Sequence, residues 1–230
     1  MSLKSLSFVA AAALALCAGV AQAATQNGIA NGGFENATPI DPLPPGGVSS
    51  FAASWLSSPT GNPVMLSTDA RTGSYAALLT VPNGFGGSTM FQNSIDQGGL
   101  LPLTAGDSPK LSFWAKGDVS TTGNVLFALR YLNGTGGILA NSGNQFFQGS
   151  INTRTWTEIT YDLGAVPVGA VAAFLEMNTA VGPLLDGRPN AVLIDDIYLG
   201  VAAIPEPSTY ALMLAGLAGV GLLAKRRRQA

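Results

Sequence analysis

The side chains able to do chemistry in this 230-residue chain are carboxylates, a few aromatics and a short motif near the C-terminus. Histidine is absent, and the single cysteine is Cys17. That removes the commonest general base, the Ser-His-Asp triad, Cys-His pairs and every imidazole metal ligand. Glycoside hydrolysis needs only two carboxylates, but those of this chain are scattered singly. Asp195 and Asp196 are adjacent, so a regular strand sends them to opposite faces. The chain therefore reads as non-catalytic, with a small polysaccharide-active enzyme as the remote alternative. Asp195 shares its predicted face with Leu193, Ile197 and Leu199. A carboxylate in that line needs a charge partner, backbone amides or a metal ion.

Sugar recognition needs an aromatic face flanked by hydrogen-bonding groups. Trp114, opposite Phe113 and beside Lys116, is the best single candidate. Trp55, Tyr131 and Trp156 are possible partners, with Arg130 or Glu176 as polar contacts. Core packing is the competing use for each aromatic, and Trp156 opens a strand where it can plug the end of a sandwich.

The last motif is Pro205-Glu206-Pro207, which no helix or sheet ladder can run through. An uncharged apolar run from Tyr210 to Ala224 follows, then Lys225, Arg226, Arg227 and Arg228. Counted from Ser208, residues 208–224 make a membrane helix. With the preceding residues from Ile204 the stretch reaches the roughly 20 needed for a full span. Pro-Glu-Pro then lies at the outer interface.

At the other end, Lys4 in a polar start, an apolar stretch from Phe8 to Val20 and Ala21-Gln22-Ala23 make residues 1–23 a secretory signal peptide. Leu16 is too bulky for lipoprotein cleavage before Cys17. The folded region is 24–203. It holds six basic and twelve acidic residues, a net charge of minus six, and no cysteine. An acidic domain argues against nucleic acid, and the terminal cations fit a tail held inside with the domain outside.

Within 24–203 the apolar residues do not repeat at 3.6. Short β-branched and aromatic runs alternate with Gly, Asn, Pro and Ser. The predicted strands are 49–55, 64–68, 74–81, 88–95, 110–116, 124–132, 145–150, 156–163, 170–177 and 191–201. Alternation puts Val125, Phe127, Leu129 and Tyr131 on one face and Arg130 on the other. The fold class is all-β, a single jelly-roll sandwich flanked by the signal peptide and the C-terminal transmembrane helix.

Two resemblances sharpen this reading. Motif, helix and basic tail, in that order at the chain's end, resemble the PEP-CTERM sorting signal of Gram-negative bacteria. The resemblance implies that residues 204–230 are recognised by exosortase, a membrane transpeptidase that cuts near Pro-Glu-Pro. The protein is then membrane-anchored only before processing and goes on to the cell surface or the exopolysaccharide matrix of a biofilm. Secondly, Asn31-Gly32-Gly33-Phe34-Glu35, Ala70-Arg71-Thr72-Gly73-Ser74-Tyr75-Ala76, Leu111 to Gly117, Trp156 to Ile159 and Ile194 to Leu199 together resemble the galactose-binding-like sandwich of carbohydrate-binding modules. That resemblance implies a structural calcium ion held by Glu35, Asp195 and the Gly73-Ser74 backbone, an oxygen set that Ca²⁺ accepts. The other use of these residues is a turn cap at Asp195 and a solvated Glu35. The functions in view are an exported carbohydrate-binding protein, a matrix protein or adhesin without a sugar site, and the enzyme.

Overall fold

The computed structural model describes residues 26–41, 43, 46–93, 104–201 and 216. The expected signal peptide and, save for one residue, the sorting tail with its membrane helix lie outside these. Among the described residues no helix is long and apolar enough to cross a membrane.

Gln26–Val201 forms one compact unit of thirteen strands among the described residues: β1 Gln26–Asn27, β2 Ser49–Ala52, β3 Trp55–Ser57, β4 Met65–Ser67, β5 Ala76–Val81, β6 Gly86–Asn93, β7 Lys110–Asp118, β8 Gly123–Leu132, β9 Ile138–Asn141, β10 Gln145–Phe146, β11 Thr157–Asp162, β12 Ala172–Val181 and β13 Asn190–Val201. They make two antiparallel sheets. The six-stranded sheet runs β11-β7-β13-β5-β4 with β1 on β13; the seven-stranded sheet runs β10-β8-β12-β6-β3-β2 with β9 on β8. This is a β-sandwich, as its apolar alternation requires.

The inner faces are those that period-two patterning picks out. Leu111, Phe113 and Ala115 of one sheet, with Val125, Phe127, Leu129 and Tyr131 of the other, are all buried. Phe113 meets Phe127 edge to face at 5.7 Å, which ties the layers together. The outward positions of β7 carry Trp114 and Lys116 on one outer face, and those of β8 carry Arg130 on the other.

Three departures from the predicted strands have local causes. Strand 49–55 is two strands, β2 and β3, joined through Ala53 and Ser54, with Ser54 at φ 65. Serine in the left-handed region gives no glycine signal. Segment 145–150 is extended only at β10 and then turns into a 3-10 helix at Gln148–Ser150. The register of β13 on β7 shifts between Asp195 and Tyr198. The buried residues are therefore Val192 and Ile194 before the shift and Ile197 and Leu199 after it. Leu193, expected beside Asp195 on one face, is half-buried on the outer side while Asp195 is buried.

Candidate functional site

The β13 bulge and the loop from Arg71 to Tyr75 build a clasp. Asp195 Oδ2 accepts the Arg71 amide at 2.8 Å and the Thr72 amide at 3.3 Å, and Oδ1 accepts the Asp196 amide at 2.7 Å. Burial pushes the Asp195 carboxyl up to about 6, against the pull of those amides. Asp196, at φ 48, accepts from Arg71 Nη1 and Thr72 Oγ1, both at 2.6 Å. Glu35 accepts the amides of Ser74 at 2.9 Å and Tyr75 at 3.0 Å. Gly73 stands at φ 63 beneath it, where any Cβ would collide with the Glu35 carboxylate.

Glu35, Gly73 and Asp195 are thus brought to one turn. Among the described residues no three carboxylates form a metal-holding group by themselves, so an ion here needs carbonyl donors as well. A carboxylate has about four acceptor positions, and the amides do not use all of them. What the structure shows these carboxylates doing is accepting backbone N–H bonds, the turn-capping use of Asp195, with Glu35 drawn into the same turn.

Trp114 and Lys116 share the outer face of the six-stranded sheet, but both are engaged within the protein. The Arg71 guanidinium carbon lies 3.7 Å from the centroid of the Trp114 ring. Lys116 pairs with Asp69 at 2.5 Å and sits 5.1 Å over the ring of Trp156. The lysine side chain is only 14% exposed. These are cation–π contacts of the kind that aromatic platforms offer a ligand, already filled by the chain itself.

Trp55 and Tyr131 must be corrected from ligand partners to core residues. Trp55 is fully buried; its indole nitrogen donates to the Asn31 carbonyl at 3.0 Å, and its ring lies 5.4 Å from Phe34. Tyr131 is 3% exposed, its hydroxyl has no hydrogen-bond partner, and burial pushes its pKa up to about 12. Tyr131 points inward because it continues the apolar phase of β8, and Trp55 is buried under Phe34 in a strand whose three residues are all buried.

On the outer face of the seven-stranded sheet the structure assembles a different group. Arg130 Nη1 pairs with Glu176 Oε2 at 2.7 Å, both side chains roughly three-quarters buried. Arg130 also lies 5.2 Å over Phe174, which stacks on Phe91 at 5.3 Å. Asn178 donates to Thr89 one step further along. The register explains the cluster: Arg130 faces Phe174, Glu176 faces Phe91, and Asn178 faces Thr89 across β8, β12 and β6. Arg130 and Glu176 are polar contacts expected from the sequence; the two phenylalanines are not among the expected residues. The signal was present: Phe91 alternates in phase with Thr89 and Asn93, and Phe174 with Glu176 and Asn178. An aromatic in a polar stripe is a surface aromatic.

Residues 203–228 match the PEP-CTERM protein-sorting motif, which marks a secreted protein processed at the membrane and exported to the cell surface. The motif residues Pro205, Glu206 and Pro207 and the cations Lys225 to Arg228 lie outside the described residues. No curated protein matches the chain. Among solved structures, the enzymatically active domain of tailspike protein 4 of bacteriophage CBA120 is similar at 20% identity and a TM-score of 0.53, covering 76% of this chain and 21% of that one. The chain thus spans about a fifth of that protein's length. A family 16 carbohydrate-binding module is similar at 18% identity and a TM-score of 0.44, over 75% of this chain and 99% of that one. The xylan-binding CBM22-1 domain of Paenibacillus barcinonensis Xyn10C is similar at 12% and 0.40, over 66% and 87%. At such identities the tailspike likeness shows the fold alone, a β-sandwich.

Proposed function

We propose that this chain is an exported, non-catalytic protein of the Gram-negative cell surface or exopolysaccharide matrix, and that its sandwich binds polysaccharide on the outer face of the seven-stranded sheet. The observation that carries the reading is the stripe of Phe91 and Phe174 beside the Arg130–Glu176 pair. Half-buried phenylalanines on a solvent-side face cost hydrophobic free energy that a ligand would recover. A sugar's C–H face stacks on such rings while an ordered Arg and Glu, with Asn178 nearby, meet its hydroxyls. Electrophoresis through gels containing soluble polysaccharides tests this: a binding glycan retards the protein, and equal mobility in every gel refutes it.

Delivery is assigned to exosortase acting at Pro205-Glu206-Pro207, with residues 208–224 as a temporary anchor. Glu206→Ala, or deletion of 210–224, is expected to leave the protein unprocessed or misplaced. Fractionation with mobility analysis reads the result; unchanged mobility and location in both variants would remove the sorting role.

Calcium at the Glu35, Gly73 and Asp195 turn is part of the same proposal. A bound ion would neutralise charge gathered there and stiffen the loop that carries Arg71. Saturating an ion site at about a hundredfold over its Kd stabilises by about 2.7 kcal/mol. The melting temperature is therefore expected to fall by several degrees on adding EDTA and to recover with Ca²⁺ but not Mg²⁺. Identical melting in EDTA and in excess Ca²⁺ would dismiss the ion.

A further inference from the structure

The outer face of the six-stranded sheet has a hollow of its own, of about 280 Å³, lined by Lys110, Ser112, Glu158, Thr160 and Tyr198. Three strands build it. β11 sets Glu158 opposite Trp114 and Thr160 opposite Ser112, and β13 brings Tyr198 opposite Ser112 from the other side. Tyr198 is placed there by the register shift that begins at Asp195. The extra residue inverts the alternation, so Ile197 and Leu199 turn into the core and Tyr198 turns out. Re-aiming a side chain beside a binding site is a recurrent use of a β-bulge. Here the break is held by Asp196, whose carboxylate Arg71 and Thr72 fix. A Cβ on Gly200 would come within 3.1 Å of Tyr198 Cε1. The tyrosine ring therefore lies down along the strand, over backbone that carries no side chain.

The lining narrows the ligand. The Glu158 carboxylate accepts hydrogen bonds, Lys110, which also lies 4.0 Å from Asp162, donates them, and the hydroxyls of Ser112 and Thr160 do both. The carboxylate disfavours an anion such as a phosphate or uronate, and the ammonium disfavours a cation. A neutral sugar satisfies both, because its hydroxyls donate and accept, and its C–H face can meet the tyrosine ring. At about 280 Å³ the hollow is open to solvent and lies just below the range of enclosed ligand sites, about 300–1,000 Å³, so it suits a single sugar ring more than a longer ligand. Trp114 lies across from the lining residue Glu158 in the register of β11 on β7, and Arg71 already covers one side of its ring.

We propose that this hollow is a second carbohydrate subsite, for a neutral sugar, on the face of the sandwich opposite the Arg130–Glu176 stripe. It rests on the glycan reading of that stripe and extends it. With sites on the outer faces of both sheets, one copy bridges two glycan strands and acts as a cross-linker of the matrix.

Isothermal titration of the exported chain 24–203, whose core lies wholly between Ile29 and Leu199, with xylohexaose and with cellohexaose is the test. Two sites per chain are expected with at least one of these sugars. Glu158→Ala combined with Thr160→Val, both exposed on edge strand β11, should weaken one site at least tenfold and spare the other; Arg130→Ala should do the reverse. Tryptophan emission gives an independent readout. Trp55 is in the core, and Trp114 and Trp156 both belong to the six-stranded sheet's side. The emission change should therefore follow the hollow and vanish in the Glu158/Thr160 variant. A single site, lost only with Arg130→Ala, would overturn the second subsite and leave the first reading standing. No heat and no emission change with either sugar would overturn the second subsite, while the reading of the stripe falls with equal mobility in every polysaccharide gel.

Discussion

Replacing Trp55 with alanine lowers the stability of the domain by about 3–5 kcal/mol, the range for deleting a large buried aromatic. The side chain is fully buried, and its indole ring packs on Phe34, which also lies 6.0 Å from Phe51. Alanine leaves a cavity among these rings and strips the Asn31 carbonyl of its indole donor. Phe34 loses a wall while holding a backbone φ of 59, so the hole cannot collapse without moving a strained turn. For a domain of this size each kcal/mol shifts the melting temperature by about 2–4 °C. A fall of roughly 6–20 °C is expected, read by calorimetry or urea unfolding. A loss below about 1 kcal/mol would return Trp55 to the surface and to the set of sugar contacts.

Replacing Arg130 with alanine has the opposite profile, a large effect on binding and a small one on stability. The guanidinium is positioned twice over, by Glu176 at 2.7 Å and by Phe174 beneath it, so it meets a ligand without first being ordered. Hydrogen bonds to a charged group contribute about 1.5–3 kcal/mol, and 1.4 kcal/mol is tenfold in affinity. Polysaccharide affinity should therefore fall between about tenfold and a hundredfold. Because the pair is partly exposed, its own contribution to folding is about 0–1 kcal/mol. Titration calorimetry alongside thermal melting separates the two effects. Equal losses of affinity and stability would make Arg130 a structural residue, and unchanged affinity would take the stripe out of the site.

Much of this was legible from residue order. Period-two alternation gave the sandwich, the inner faces of β7 and β8, and the outward placement of Trp114, Lys116 and Arg130. It failed where one residue breaks phase. At Asp195 the strand admits an extra residue, and nothing in Ile194-Asp195-Asp196-Ile197 announces that, because the left-handed position is taken by aspartate instead of glycine. The consequence was to leave Tyr198 unassigned and to set Leu193 beside Asp195. Trp55 and Tyr131 were misjudged for another reason: composition shows an aromatic but not its partner. Trp55 is buried by Phe34, which comes from a different turn, and Tyr131 continues the apolar phase of β8, which places it in the core. Arg71 over Trp114 was invisible for the same reason, since it depends on the clasp that Asp195 and Asp196 close over a loop more than a hundred residues earlier in the chain. The sorting signal was the easiest part, because its logic is linear: breaker, apolar span, cations.

Equilibrium binding of chain 24–203 to a broad glycan array decides whether the exported sandwich is a glycan-binding protein. Saturable binding to at least one polysaccharide is expected, with no cleavage of the bound glycan and with the affinity of the site on the seven-stranded sheet cut about tenfold or more by Arg130→Ala. Absence of binding to every glycan, an unchanged affinity at every site in Arg130→Ala, or hydrolysis of the bound chain would overturn that reading.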